Sequence, residues 1–162
     1  MENESIQAAA PELQKYNKTE EEEKKIILRE YRALLRSLKE SLKKGDRAML
    51  RHAFEMSAEA HKDMRRKSGE PYILHPLAVA RIVVEDIGLG VTSAICALLH
   101  DTVEDTKTTY DELVENFGKV IADIVMECSD DKSLDKITRK MVQIMILIMI
   151  YILLIMNTNV LI

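Results

Sequence analysis

An apolar stretch of the sequence ends in a dense group of ionisable side chains. AICALL (94–99) runs directly into His100 and Asp101, and Glu104 and Asp105 follow within four positions. Residues three and four apart lie on one side of a helix, so the spacing predicts that all four crowd together. Three carboxylates that close would repel one another, and a divalent metal would neutralise them. The group therefore indicates a metal site; the alternative is an exposed helix end with solvated acids.

A second group lies upstream, in RRKSGEPYILHP (65–76). Three basic residues precede a Ser-Gly turn, and His75 stands just before a predicted helix start. His75 could complete a metal shell with His100 and Asp101. The basic run could hold a polyphosphate, and Arg66 could also stack on a base. The alternatives are a structural or exposed histidine and a solvated basic loop.

Helical periodicity runs through most of the chain, and the scarcity of glycine (5) and proline (3) favours an all-α fold. The pattern predicts six helices. The first is opened by EEEEKK (20–25) and ended by Gly45, the second carries Leu50, Phe54, Ser57 and His61 on one face, and the third runs from Pro76 to near Gly88. The fourth runs from about Thr92 to Glu104, the fifth is capped by Thr109 and Glu112, and the sixth includes Ile121. His61 is predicted to be a hydrogen-bonded core histidine.

The composition fits a soluble globular protein of 162 residues, with 47% apolar and 31% charged residues. The net charge of −4 argues against a general nucleic-acid binder. Cys96 and Cys128 are predicted to be buried free thiols in a reducing cytosol. The acidic, polar N-terminus has no secretory signal, so we expect a cytoplasmic protein.

The segment 141–162 contains no charged residue. The interpretation we favour is an aberrant C-terminus, because out-of-frame translation of AT-rich DNA yields such Ile-, Leu- and Met-rich sequence. The segment is also long and apolar enough for a membrane-spanning helix, which would make membrane association possible. A buried core helix is the third interpretation.

Four motif segments follow one another along the chain: AHKDMRRKSGEPYILHP, VARIV, ALLHDTVEDT and FGKVIADIV. Over about residues 45–128 they resemble the N-terminal hydrolase domain of RelA/SpoT-type alarmone enzymes, which are metal phosphohydrolases of the HD superfamily. The helix at 26–45 resembles the extension of the long bifunctional members. The residues 129–144 resemble the small stand-alone hydrolases, so both branches stay open.

The resemblance implies an all-α HD-domain helical bundle that holds Mn²⁺. It implies hydrolysis of the 3′-pyrophosphate of ppGpp and pppGpp, which yields GDP or GTP and pyrophosphate in stringent-response metabolism. Eight residues match functional positions of the family: His75, His100 and Asp101 as metal ligands, Glu104 and Asp105 as the acidic pair at the attacking water, and Arg66, Lys67 and Ser68 as substrate contacts.

One feature of the family pattern is missing from this sequence. The fourth metal ligand of the family is an aspartate in a later helix, and no aspartate follows Asp135 here. We therefore expect low activity, and a non-catalytic guanine-nucleotide-binding or regulatory module and a membrane-tethered protein are the alternatives. The predicted organisation is a disordered tail (1–19), an N-terminal helical extension (20–45), an incomplete HD domain (46–140) and the apolar tail (141–162). The oligomeric state stays open.

Overall fold

The computed structural model describes residues 16–128 and confirms the all-α class. Within that range no strand forms, and the one sheet-like contact is an isolated bridge between Arg65 and Pro71. The helices are α1 (Glu20–Ser37), α2 (Asp46–Ala60), α3 (Leu74–Glu85), α4 (Val91–Leu99), α5 (Thr102–Asp105), α6 (Tyr110–Phe117) and α7 (Lys119–Cys128).

Two helices begin at capping boxes. The predicted box at α6 is confirmed, since the Glu112 backbone N–H donates to the Thr109 hydroxyl oxygen at 3.2 Å and the Glu112 carboxylate accepts the Thr109 N–H at 2.8 Å. The same arrangement joins Thr19 and Glu22 at the start of α1. Each box satisfies backbone donors that a helix leaves free in its first turn, which fixes where the helix begins.

The first and third helices differ from their predicted bounds. Helix α1 ends at Ser37, well before Gly45, because the chain passes into tighter turns in which the Lys39 N–H donates to the Arg36 carbonyl. Helix α3 begins at Leu74, so Pro76 lies in its first turn, where its missing N–H costs nothing. This earlier start places His75 on the helix itself.

Helix α4 forms the centre of the core. Every residue from Ser93 to Leu99 is buried, and α4 packs against α2, α3 and α7. Tyr31 and Leu34 of α1 belong to the same apolar cluster. The cluster therefore includes both the predicted extension and the predicted HD domain, and the domain bounds themselves stay a prediction.

The two cysteines, Cys96 and Cys128, are buried and are not joined in a disulfide, as predicted. None of the helices between residues 16 and 128 is long and apolar enough to cross a membrane. The apolar segment 141–162 lies outside the described residues, as does most of the predicted tail at 1–19. Of that tail, Tyr16 is described and lies against Gly69.

Candidate metal centre

The predicted fourth helix is broken at the histidine–aspartate pair. The prediction of one helix to Glu104 is wrong, because α4 ends at Leu99 and α5 begins at Thr102. Two side chains account for the break. His100 Nδ1 donates to the Ala97 carbonyl at 2.7 Å, and the Thr102 hydroxyl donates to the Leu99 carbonyl at 2.7 Å. Such bonds take up carbonyls that the next turn of helix would have used.

Three candidate ligands meet next to this break. His75 from α3 meets His100 and Asp101, and their ligand atoms all lie within 4.8 Å of one another. His100 Nε2 lies 2.9 Å from Asp101 Oδ1, and His75 Nε2 lies 3.4 Å from Asp101 Oδ2. The two imidazole rings meet edge to face, with centroids 5.4 Å apart. The side chains that the sequence predicted to share a cation thus converge on one point.

The hydrogen bonding of His100 makes this group suitable for a cation. Because Nδ1 donates to the Ala97 carbonyl, Nε2 of the neutral ring carries a lone pair and faces a carboxylate oxygen of Asp101. Two acceptors at that distance need a proton or a metal ion between them. A neutral imidazole and a carboxylate are the ligands that divalent transition metals accept.

The charges of the two side chains favour a proton at the same position. Burial disfavours the charged imidazolium, but the hydrogen bond and negative charge of Asp101 outweigh it and raise the pKa of His100. Burial likewise opposes the charge of Asp101, but His100 and Tyr72 outweigh it and lower the pKa of that carboxyl. The pair therefore favours a positive charge between His100 Nε2 and the carboxylate, and a metal ion that binds there must displace a proton from His100.

The predicted acidic pair lies on α5. Asp105 is exposed, and its Oδ2 accepts a hydrogen bond from the Tyr72 hydroxyl at 3.1 Å. The same hydroxyl lies 2.9 Å from Asp101 Oδ2. Tyr72 therefore connects Asp105 to the three candidate ligands, His75, His100 and Asp101, which we call the metal group. Glu104 is half-buried one position earlier. The roles of Glu104 and Asp105 at a water molecule stay predictions.

The basic loop is built around a tight turn. Gly69 has φ +95°, in the left-handed region that favours glycine, and its N–H donates to the Arg66 carbonyl at 2.8 Å. Arg66, Lys67 and Ser68 are all exposed at this turn. Arg66 also pairs with Glu70 at 3.2 Å. The turn presents the predicted substrate contacts to solvent.

Arg66 also lines a groove of about 450 Å³ between α1 and α3. This groove contains none of the three candidate ligands. Among the described residues, the structure thus brings the metal group together but does not place Arg66 in it.

Sequence reasoning missed the residues that support the site. His61 is 2% exposed, and its Nδ1 donates to the Ser57 carbonyl at 2.8 Å, which confirms the predicted core histidine. The missed feature is that its ring stacks on Tyr72, with centroids 4.8 Å apart. Tyr72 stands three positions before His75, and this proximity was the only sequence signal for it.

Comparison with known proteins gives consistent results. A family model described as HD domain matches residues 53–156. The guanosine-3′,5′-bis(diphosphate) 3′-pyrophosphohydrolase MESH1 of Xenopus tropicalis is 48% identical over 99 residues, which are 59% of this chain and 55% of that protein. The guanosine-3′,5′-bis(diphosphate) 3′-pyrophosphohydrolase of Aquifex aeolicus is 47% identical over 76 residues, 47% of this chain and 11% of the relative.

A solved structure is also similar, that of a metazoan ortholog of SpoT that hydrolyzes ppGpp. It has a TM-score of 0.50 and 35% identity, over 60% of this chain and 56% of that one. The chain spans about half the length of the MESH1 relatives that it matches. These likenesses confirm the resemblance that the sequence motifs carry, and the family match covers more than half of the chain. The chain belongs to the HD domain family.

Proposed function

We propose that this chain is a metal-dependent phosphohydrolase that removes the 3′-pyrophosphate of ppGpp and pppGpp. The observation that carries the proposal is the convergence of His75, His100 and Asp101 on one point in an HD domain. The relatives named as ppGpp hydrolases supply the substrate class. GDP or GTP and pyrophosphate would be the products.

In the reaction, a water oxygen attacks the phosphorus bonded to the ribose 3′ oxygen. That P–O bond breaks, and the 3′ oxygen takes up a proton. A bound divalent cation, for which we propose Mn²⁺, would make water more acidic and offset the charge of the phosphoryl group. The chain's own part is to hold that cation and to orient the reactants.

Each predicted residue has a task in this scheme. His75, His100 and Asp101 hold the cation, and the Ala97 carbonyl fixes the ring of His100 so that Nε2 faces the site. Glu104 and Asp105 accept hydrogen bonds from the attacking water and take its proton. The exposed turn at residues 66–68 attracts the phosphates of the substrate.

The test is pyrophosphate release from ppGpp by the full chain, with and without Mn²⁺. We expect slow release that depends on Mn²⁺, and His100→Ala should abolish both this release and Mn²⁺ binding measured by calorimetry. His52→Ala is the matched control, because His52 is an exposed histidine that contacts Asn116 on α6. Release that is unchanged in His100→Ala would refute the proposed site.

The second candidate function is a non-catalytic guanine-nucleotide-binding module. It is favoured by one observation: residues 136–162 contain no aspartate, the residue type that the resemblance implies as a fourth metal ligand. Equilibrium dialysis with ppGpp separates the two functions. Binding of ppGpp with no Mn²⁺-dependent release would support the module and contradict the hydrolase.

We also propose a cytoplasmic location. Both cysteines are buried and are not joined in a disulfide, which is typical of proteins from reducing compartments. Fractionation of cells that express the tagged chain tests this. Recovery of the chain in a membrane fraction would contradict it and favour membrane association through residues 141–162.

A further inference from the structure

Tyr72 lies between the buried core and the metal group. Its ring stacks on His61 at 4.8 Å between centroids and meets the edge of His75 at 5.7 Å. Its backbone is also held, since its N–H donates to the Met64 carbonyl at 3.1 Å and its carbonyl accepts the His75 N–H at 2.8 Å. The ring and the backbone are therefore fixed from several sides.

The hydroxyl of this fixed ring joins two carboxylates. It lies 2.9 Å from Asp101 Oδ2 and 3.1 Å from Asp105 Oδ2. Asp101 and Asp105 are four residues apart, so they face the same side and would repel each other without a group between them. The hydroxyl carries a single proton, which it donates to one carboxylate or shares between both.

We propose that Tyr72 is a positioning residue that sets the spacing between the ligand carboxylate of Asp101 and the carboxylate of Asp105. This inference rests on the proposed function for the role of Asp105, but its effect on Asp101 does not depend on hydrolysis. His61 contributes by supporting the ring: it is 2% exposed and anchored through Nδ1 to the Ser57 carbonyl.

The arrangement has a direct physical consequence. A carboxylate that ligates a metal is oriented by its outer hydrogen bonds, and loss of such a bond weakens metal binding by about 10- to 100-fold. The Tyr72 hydroxyl, which belongs to the loop before α3, is a donor to Asp101 Oδ2. Without it Asp101 gains rotational freedom and Asp105 loses its fixed distance to the metal group.

The test compares two hydroxyl deletions. Tyr72→Phe keeps the ring stack on His61 and removes only the hydroxyl. Tyr110→Phe is the matched control, since the Tyr110 hydroxyl donates to a carboxylate, Asp123, at 2.7 Å, away from the metal group. Thermal melting of both variants checks that the fold is kept, and Tyr72→Leu, which also removes the stack, separates the ring from the hydroxyl.

Manganese affinity measured by calorimetry is the first readout. We expect Tyr72→Phe to bind Mn²⁺ about 10- to 100-fold more weakly than the unmodified chain, and Tyr110→Phe to bind it equally. The second readout is ppGpp hydrolysis, in which Tyr72→Phe should lower kcat at saturating Mn²⁺ more than it raises KM, because Asp105 is misplaced.

The outcomes separate this inference from the proposed function. Equal Mn²⁺ affinity in Tyr72→Phe and the unmodified chain overturns the positioning role, whatever the hydrolysis assay gives. Weaker Mn²⁺ binding in Tyr72→Phe, together with no hydrolysis by the unmodified chain, supports the positioning role and overturns the proposed function. Equal losses in Tyr72→Phe and Tyr110→Phe would mean a general loss of stability, and would also overturn it.

Discussion

An ion pair that involves a buried carboxylate links helix α1 to the basic loop at residues 65–70. Glu23 is 7% exposed and forms an ion pair with Arg65, whose side chain is half exposed. Arg65 also reaches the Gly69 carbonyl at 3.5 Å. We predict that Glu23→Gln, which keeps the shape but removes the charge, loosens the loop that carries Arg66.

The size of the effect follows from the burial of the two partners. Removing one partner of a fully buried pair costs about 3–5 kcal/mol, whereas an exposed pair contributes about 0–1 kcal/mol. Glu23 is buried and Arg65 is half exposed, and glutamine can still accept a hydrogen bond. We therefore expect the free energy of unfolding to fall by about 1–2 kcal/mol.

Part of this loss should also appear in ligand binding. In the variant, ppGpp must order the loosened loop when it binds, and the free energy this costs is lost from the binding free energy. The affinity for ppGpp should therefore fall by up to about tenfold, since 1.4 kcal/mol corresponds to a factor of ten. Urea denaturation measures the free energy of unfolding, and equilibrium dialysis measures the affinity for ppGpp. Glu21→Gln is the matched control, because Glu21 is exposed in the same turn of α1. Equal effects of the two substitutions would refute the reasoning.

Three further predictions concern the fold. Leu98→Ala, at a fully buried position of α4, should lower the free energy of unfolding by about 2–5 kcal/mol in urea denaturation, and a loss below 1 kcal/mol would mean that the core is not packed there. The hydrogen bond from Arg81 holds the pKa of Glu85 below its usual range, so the stability that this carboxylate contributes is present above about pH 4.5 and is lost as the pH falls. Arg81→Gln should therefore reduce the loss of unfolding free energy that is measured between neutral and acidic pH. An unchanged loss in this variant would contradict the assignment. Burial raises the pKa of Cys96 above its usual range and that of Cys128 to about 11, so both thiols should react slowly with a disulfide reagent at pH 8 until the chain is unfolded, which absorbance of the released thiol measures.

The sequence predicted the candidate ligands because metal-binding chemistry depends on residue type and order. His75, His100 and Asp101 were found from an apolar run that ends in ionisable groups and from a histidine beside a helix start. Both signals are local, and the structure joins them because α3 packs on α4. The capping box at Thr109 was equally predictable, since its hydrogen bonds span only three residues.

Some features that the sequence did not predict depend on side chains that meet across the fold, whereas the break after Leu99 depends on local hydrogen bonds. The end of α1 at Ser37 could not be read from periodicity, because Leu38 is still buried although it lies past the helix. Glu23 is one of four consecutive glutamates in EEEEKK, and nothing in that run indicates burial, yet it is buried and pairs with Arg65, 42 residues away in the basic loop. Nothing in the sequence indicates that the Tyr72 hydroxyl reaches Asp101, 29 residues later.

The break between α4 and α5 places the candidate metal group at the end of the core helix. His100 and Asp101 both keep right-handed helical backbone angles, so their side chains still leave the backbone about 100° apart and must lean toward each other to share a cation. They do so, since His100 Nε2 lies 2.9 Å from Asp101 Oδ1. The candidate group lies at the carboxyl end of α4, where the helix dipole is negative and a cation is favoured. Since residues 93–99 of α4 are all buried, the core holds that end in place, and the packing that stabilises the fold also positions the candidate ligands.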